Sequence, residues 1–153
     1  MRAVIQKVLE ANIGVVESHE LVHVDHIDQG LVVLVGITHD DTNRDVAYVA
    51  DKIAHMRIFA DADDKMNLSI QDVAGEILLV SQFTLFGDMR NGRRPSFIEA
   101  ARPQQARALY NDLADLLMDM GLVVKTGHFR THMNIELNND GPVTILLDSK
   151  KLF

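Results

Sequence analysis

The sequence predicts a layered α/β domain of mixed sheets with two main helices. Three observations carry that expectation: many short Val- and Ile-rich runs, two long stretches with helical periodicity, and no regular strand–helix alternation of the doubly wound kind. With 153 residues, the chain is expected to form one domain, 1–153, able to bury a core without disulfides. Residues 2–9, 12–17 and 20–25 read as short strands. "GLVVLVGI" (30–37) is apolar on both faces, as a central strand is. Thr42 with Asp45 three residues on forms a capping-box pattern, and Val46, Val49, Ala50 and Ile53 share one helical face, which predicts a helix over 43–57. "EILLVSQFTL" (76–85) reads as a second buried strand. Pro103 suits a first helical turn, Ala106, Leu109, Tyr110, Leu113, Leu117 and Met120 recur at helical spacing, and Gly121 ends the run. Strands follow at 122–126, 132–138 and 142–148. Between the last two lies "NNDGPVT" (138–144), where Asp-Gly signals a hairpin but Pro142 has no N–H for a ladder.

Composition narrows the chemistry. The chain has no cysteine, which excludes disulfides, thiolate catalysis and zinc–thiolate sites. The opening "MRAVIQKVLEANIG" has no apolar core of a signal peptide, and no run approaches the roughly 18 apolar residues of a membrane span. A soluble, cytoplasmic protein without a membrane partner is expected. The net charge of −7 opposes nucleic-acid binding, since Lys and Arg supply phosphate affinity. That charge is uneven, however: Arg90, Arg93, Arg94, Arg102 and Arg107 make the stretch 86–108 +3 against −10 for the rest. Five arginines and no lysine suit bidentate phosphate contacts, with Arg93 and Arg94 as candidate RNA-binding residues. The same composition also fits a solvated loop and helix start.

Several local patterns fail as sites. "DADD" (61–64) opens like a calcium loop, but Lys65 and Met66 occupy positions that need an oxygen ligand and glycine, and Asp72 replaces the bidentate Glu. "HVDH" places His23 and His26 at a spacing that shares a face on a helix, whereas this segment reads as a strand. Neither a GxSxG nucleophile motif nor a P-loop is present. No metal and no cofactor are expected. Met133 is by default a core filler.

"SQFTL" (Ser81 to Leu85) sets polar residues at the end of a buried strand. By chemistry alone it reads as a strand-to-turn transition whose hydroxyls bond backbone. Together with "NDGPVT" (139–144) it resembles the signature pair of the D-aminoacyl-tRNA deacylase (D-tyrosyl-tRNA deacylase) family. The flanks "RIFADADDKMN", "GRRPSF" and "GLVVLVGITHDDT" extend the resemblance over essentially the whole chain. Two departures stand out: Lys7 where the family is expected to carry Arg, and "HFRTHM" (128–133) in place of a smaller Gly- and Ala-containing stretch. Both are expected to bear on the outer wall of the pocket.

The resemblance implies a β/β/α sandwich, a homodimer and a metal-free editing hydrolase. Its substrate would be the ester between a D-amino acid, or glycine mischarged on tRNA(Ala), and the 3′-terminal adenosine of tRNA. It implies that Ser81, Gln82, Phe83 and Thr84 line the adenosine and ester pocket, and that Gly141 and Pro142, with Asn139, face the amino acid, Met133 adding a wall. It also implies a cis Gly141–Pro142 pair inserted from one subunit into the other, where backbone excludes L-side chains. An aminoacyl ester is already activated, so orientation and backbone donors at Gln82 and Phe83 suffice in principle. "SQFTL" brings no base to Thr84, which favours water activated with the substrate's ribose 2′-hydroxyl over an acyl-threonine intermediate. A non-catalytic RNA- or nucleotide-binding module and a structural oligomer remain as alternatives.

Overall fold

The computed structural model describes residues 1–152, and for His23 and Val24 the backbone alone. The order is β1 (Arg2–Glu17), β2 (Glu20–Ile27), β3 (Gly30–Gly36), α1 (Asn43–His55), β4 (Phe59–Ala60), β5 (Met66–Leu68), β6 (Glu76–Ser81), a 3-10 helix (Phe83–Phe86), α2 (Pro103–Asp119), β7 (Val123–Thr126) and β8 (Met133–Asp148). The expected layered α/β architecture is present. Its two β layers are halves of one curled mixed sheet, with β4 and β5 forming a separate small hairpin.

The central strand explains the layers. Alternate residues of β3 and β6 point to opposite faces: Leu31, Val33, Val35, Ile77 and Leu79 meet Val49 and Ile53 of α1 and Leu113 and Leu117 of α2. On the other face, Val32, Leu78 and Val80 meet Val8, Ala11, Ile13 and Ile27, where the sheet curls over itself. β3 and β6 run parallel, as do β6 and β7. A strand buried on both faces has no polar alternation to show.

The first expected strand pair is one continuous β1. Its residues 2–8 pair with β3 and 11–17 with β2 along one edge, while β8 pairs along the other. Val8 opposes Asn139 and Glu10 opposes Asn138, so Leu9 is an extra residue on β1. That bulge switches the facing pattern: Ala3 and Ile5 enter the helix-side core, and Ala11 and Ile13 enter the other. The expected hairpin at "NNDGPVT" is likewise absent. β8 runs on along β1, and residues 140–143 loop out between the pairs Gln6↔Thr144 and Val8↔Asn139. Pro142 therefore stands where no ladder N–H is required.

The strand expected over 76–85 stops at Ser81 and tightens into the 3-10 helix. "DADD" is the turn of the β4–β5 hairpin, with the Asp61 carboxylate accepting from the Asp63 and Lys65 N–H groups. His26 lies against Asn12 and Asp28; the side chain of His23 lies outside the described residues. No helix among the described residues is long and apolar enough to cross a membrane.

The Thr42–Asp45 capping box forms as expected, with the Thr42 N–H donating to Asp45 at 2.8 Å. Asp45 also accepts from Ser149 Oγ at 2.6 Å and pairs with Lys150 at 2.8 Å, tying the end of β8 to α1. Burial alone would raise the Asp45 pKa, but Lys150, Ser149 and the Thr42 N–H outweigh it and hold the carboxyl well below its usual range. Because the folded pKa is depressed, this stabilisation is present above the unfolded value of 3.8 and lost as pH falls through the acid range below it. Asp45→Ala is expected to cost about 2 kcal/mol near neutral pH, or roughly 4–8 °C in Tm. In thermal melts, that deficit should shrink below about pH 4.

Candidate active site

A cavity of about 810 Å3 opens where β3 and β6 end side by side and α2 begins. Val35, Val80 and Ile135 line its apolar part, Phe83, Phe97 and Phe129 its aromatic part, and Ser81 and Gln82 a polar edge. Its size falls in the range of small-molecule sites. Phe83 and Phe97 meet edge to face with centroids 5.1 Å apart. Phe129 packs 6.1 Å from Tyr110 and lies under the Arg107 guanidinium at 5.1 Å. The Tyr110 hydroxyl donates to the Leu79 carbonyl at 2.7 Å, and burial pushes its pKa well above the ordinary phenol value. Tyr110 thus braces the cavity wall as a neutral group.

The turn at Ser81–Thr84 follows from the parallel ladder. The Gln82 N–H donates to the Val35 carbonyl at 2.7 Å, and the chain then tightens so that Leu85 N–H reaches the Gln82 carbonyl at 3.3 Å. A Cβ on Gly36 would stand 2.9 Å from that carbonyl, so glycine permits the approach. The first N–H groups of a helical turn lack internal partners, and those of Phe83 and Thr84 meet no acceptor among the described residues. This corrects the expected donor pair of Gln82 and Phe83: the Gln82 N–H is already used. The Gln82 amide donates to Thr84 Oγ1, and no His, Asp or Glu bonds that hydroxyl among the described residues.

Ser81, Gln82, Phe83 and Met133 all line the cavity, whereas Thr84 is adjacent to it and exposed. Gly141, Pro142 and Asn139 do not line it. The Gly141–Pro142 peptide is cis and Gly141 has φ +118°, a left-handed conformation that favours glycine. Both residues are exposed, while Val143 anchors the loop in the helix-side core. Asn139 Nδ2 donates to the Val143 carbonyl at 3.1 Å and to the Lys7 carbonyl at 3.4 Å, closing the loop's neck. Lys7 pairs with Asp140 at 2.9 Å. Lys7 therefore bears on the Gly141–Pro142 loop rather than on the cavity wall, where the "HFRTHM" departure does lie. Gly141 lies eight positions beyond Met133 on β8, a span of roughly 27 Å along an extended strand.

Arg93 and Arg94 are exposed near the tip of a loop closed by the Asp88–Ser96 backbone pair, away from the cavity lining. Arg90 is held by Asp88, whose carboxyl it lowers to about 2. Phe97, Arg102, Phe129, Arg130 and His132 join the cavity without having been singled out individually from sequence. The arginine-rich stretch pointed towards Arg102, and the expected wall segment "HFRTHM" towards Phe129, Arg130 and His132. No group of three His, Asp or Glu side chains that could hold a metal ion occurs among the described residues.

The model of the family described as D-Tyr-tRNA(Tyr) deacylase matches residues 4–148. The D-aminoacyl-tRNA deacylase of Thermotoga petrophila is 56% identical over 153 residues, all of both chains. An inactive D-aminoacyl-tRNA deacylase of Bacillus subtilis is 56% identical over 127 residues, 83% of this chain and 96% of its own. Among solved structures, the c-Myc DNA unwinding element binding protein matches with a TM-score of 0.87 at 36% identity, covering 97% of this chain and 98% of that one.

Asn139→Ala removes the donor that closes the 140–143 loop on both sides. It is expected to cost about 1 kcal/mol, roughly 2–4 °C in Tm. Hydrogen exchange should quicken at the loop amides and stay unchanged at the Gln82 amide.

Proposed function

This chain belongs to the D-Tyr-tRNA(Tyr) deacylase family and is an ester hydrolase of D-aminoacyl-tRNA; from that premise we propose that the cavity beside Ser81 seats the 3′-terminal aminoacyl-adenosine and cleaves its ester with the RNA's own help. The observation that carries this reading is the pair of open N–H groups at Phe83 and Thr84, next to a Thr84 hydroxyl with no base. The aromatic walls suit a nucleobase, and Ser81 and Gln82 offer polar contacts to the nucleoside. Water adds to the ester carbonyl, the two N–H groups hold the oxyanion, and collapse breaks the bond to the ribose 3′-oxygen. Free D-amino acid and tRNA with a 3′-hydroxyl result. One such oxyanion donor is worth about 10²–10³ in rate. A threonine nucleophile needs a base within reach, whereas the ribose 2′-hydroxyl is already vicinal to the ester.

The chiral selection is assigned to a second copy of the chain. Gly141–Pro142 is exposed and far along β8 from its own cavity, so its approach to an ester requires another subunit. Among the described residues β8 pairs only with β1, leaving its outer edge open, and Leu137, Ile145 and Leu146 are exposed on it. An open apolar edge of this length suits association into a homodimer. Main chain at Gly141 then collides with an L-side chain, while a D-side chain points away. A glycyl ester has nothing to reject, so glycyl-tRNA(Ala) is included as a substrate. Arg93 and Arg94 contact phosphates farther along the tRNA.

Replacing the terminal ribose by its 2′-deoxy form should slow D-ester hydrolysis by about 10²-fold or more, while Thr84→Ala stays within about tenfold of the parent. An inert Thr84→Ala that binds substrate normally, or a trapped acyl-threonine, contradicts the mechanism. Arg93→Ala with Arg94→Ala should lower the slope of log affinity against log salt by about 1–2. An unchanged slope returns these residues to a solvated loop.

A further inference from the structure

Among the described residues, Arg102 and Arg130 are the only Arg, Lys, Asp or Glu side chains lining the cavity. In a chain of net charge −7, a cavity with two guanidiniums and no carboxylate is a local reversal of sign. Both arginines are exposed, at the mouth of a cavity whose Val35 and Val80 are buried. They reach it from different elements, Arg102 at the start of α2 and Arg130 from the β7–β8 connection. Neither has an ion-pair partner among the described residues, whereas Arg2 and Arg90 are held by Asp148 and Asp88.

The backbone gives a second reason to single out Arg130. Its φ is +64°, the left-handed region that L-residues adopt at a cost. The turn that holds it there is closed by Thr131, whose N–H and Oγ both donate to the His128 carbonyl at 3.4 and 2.8 Å. Arg107 and Tyr110 fix the neighbouring Phe129. A flexible surface arginine needs no such support. This one is fixed in backbone beside the aromatic wall, and its guanidinium has no carboxylate to neutralise it.

We propose that Arg102 and Arg130 clamp the phosphodiester on the 5′ side of the terminal adenosine. The assignment rests on the reading that the cavity seats this adenosine. With the base among the phenylalanines and the ester at Phe83 and Thr84, the remaining anionic group of the nucleotide is that phosphate. Guanidinium forks match its paired oxygens, and a clamp from two elements orients the nucleotide before chemistry. Selectivity for an ester carried on RNA, rather than on a free nucleoside, follows from the same contacts.

The experiment compares three D-aminoacyl esters: of adenosine, of adenosine 5′-monophosphate and of tRNA. For the parent protein, the 5′-phosphate should lower KM by about 10–100-fold relative to the nucleoside ester, and salt should erode that advantage. Arg102→Gln with Arg130→Gln should abolish the advantage, bringing KM for the 5′-phosphate ester up to that for the nucleoside ester. Arg130→Lys should retain part of it. Equal losses on all three esters, or an advantage that survives in the double variant, overturn the clamp. So does a defect confined to D-aspartyl esters, because the arginines would then read the amino acid's carboxylate. The parent's salt titration tests the clamp even if a variant fails to fold. Absence of hydrolysis of every D-ester by the parent protein would instead sink the deacylase reading itself.

Discussion

The antiparallel ladder between β1 and β8 runs from Arg2↔Asp148 to Val15↔Met133, and its register shifts twice, at the 140–143 loop opposite Lys7 and at the Leu9 bulge. The loop opposite Lys7 governs the placement of the proposed site residues. One end of β8 delivers Met133 to the cavity; farther along, the same strand holds Gly141 and Pro142 out of the sheet. Val143 buried on the inner side, Asn139 across the neck and the Lys7–Asp140 pair together hold the loop to β1. An extended strand is stiff, so it keeps these two features apart. The proposed two-copy site is a consequence of that distance.

The cavity has a different origin. Parallel strands β3 and β6 end together, and the chain beyond Ser81 tightens against Gly36 and exposes two backbone N–H groups. Donors placed by a sheet need no reorganisation to meet a developing anion, which is what the proposed mechanism asks of them. The same ladder consumes the Gln82 N–H. An activated ester asks little more of a protein than orientation and charge stabilisation, which fits a cavity with apolar walls, open donors and two arginines.

Legibility in the sequence tracked how local each signal was. The central strand was readable because burial on both faces leaves a continuous apolar run, and Thr42, Asp45 and Pro103 mark helix starts through local bonding and fixed dihedrals. The continuity of β1 was hidden because the extra residue Leu9 reverses the alternation, imitating a break between strands. "NNDGPVT" looked like a hairpin since its turn residues are the same; only the partner strand on both sides shows a loop within one strand. In the cavity, Ser81, Gln82 and Phe83 came from a contiguous motif. Phe97, Arg102, Phe129 and Arg130 come from segments without a shared local pattern and meet only through tertiary packing. Arg93 and Arg94 drew attention by charge density, which does not tell a loop tip from a cavity mouth.

If one copy's cavity works with another copy's Gly141–Pro142 loop, two variants damaged in different halves of the site complement each other. Ser81→Phe fills the cavity, and Gly141→Val places a branched side chain where φ is +118°. Each variant alone should hydrolyse D-aminoacyl-tRNA poorly. After the two are unfolded together and refolded at equal concentrations, with mixed dimers verified by native mass spectrometry, about a quarter of the parental activity should return, because each mixed dimer rebuilds one intact site. If the mixture is no more active than its components although mixed dimers are present, the site lies within a single chain and the account is wrong.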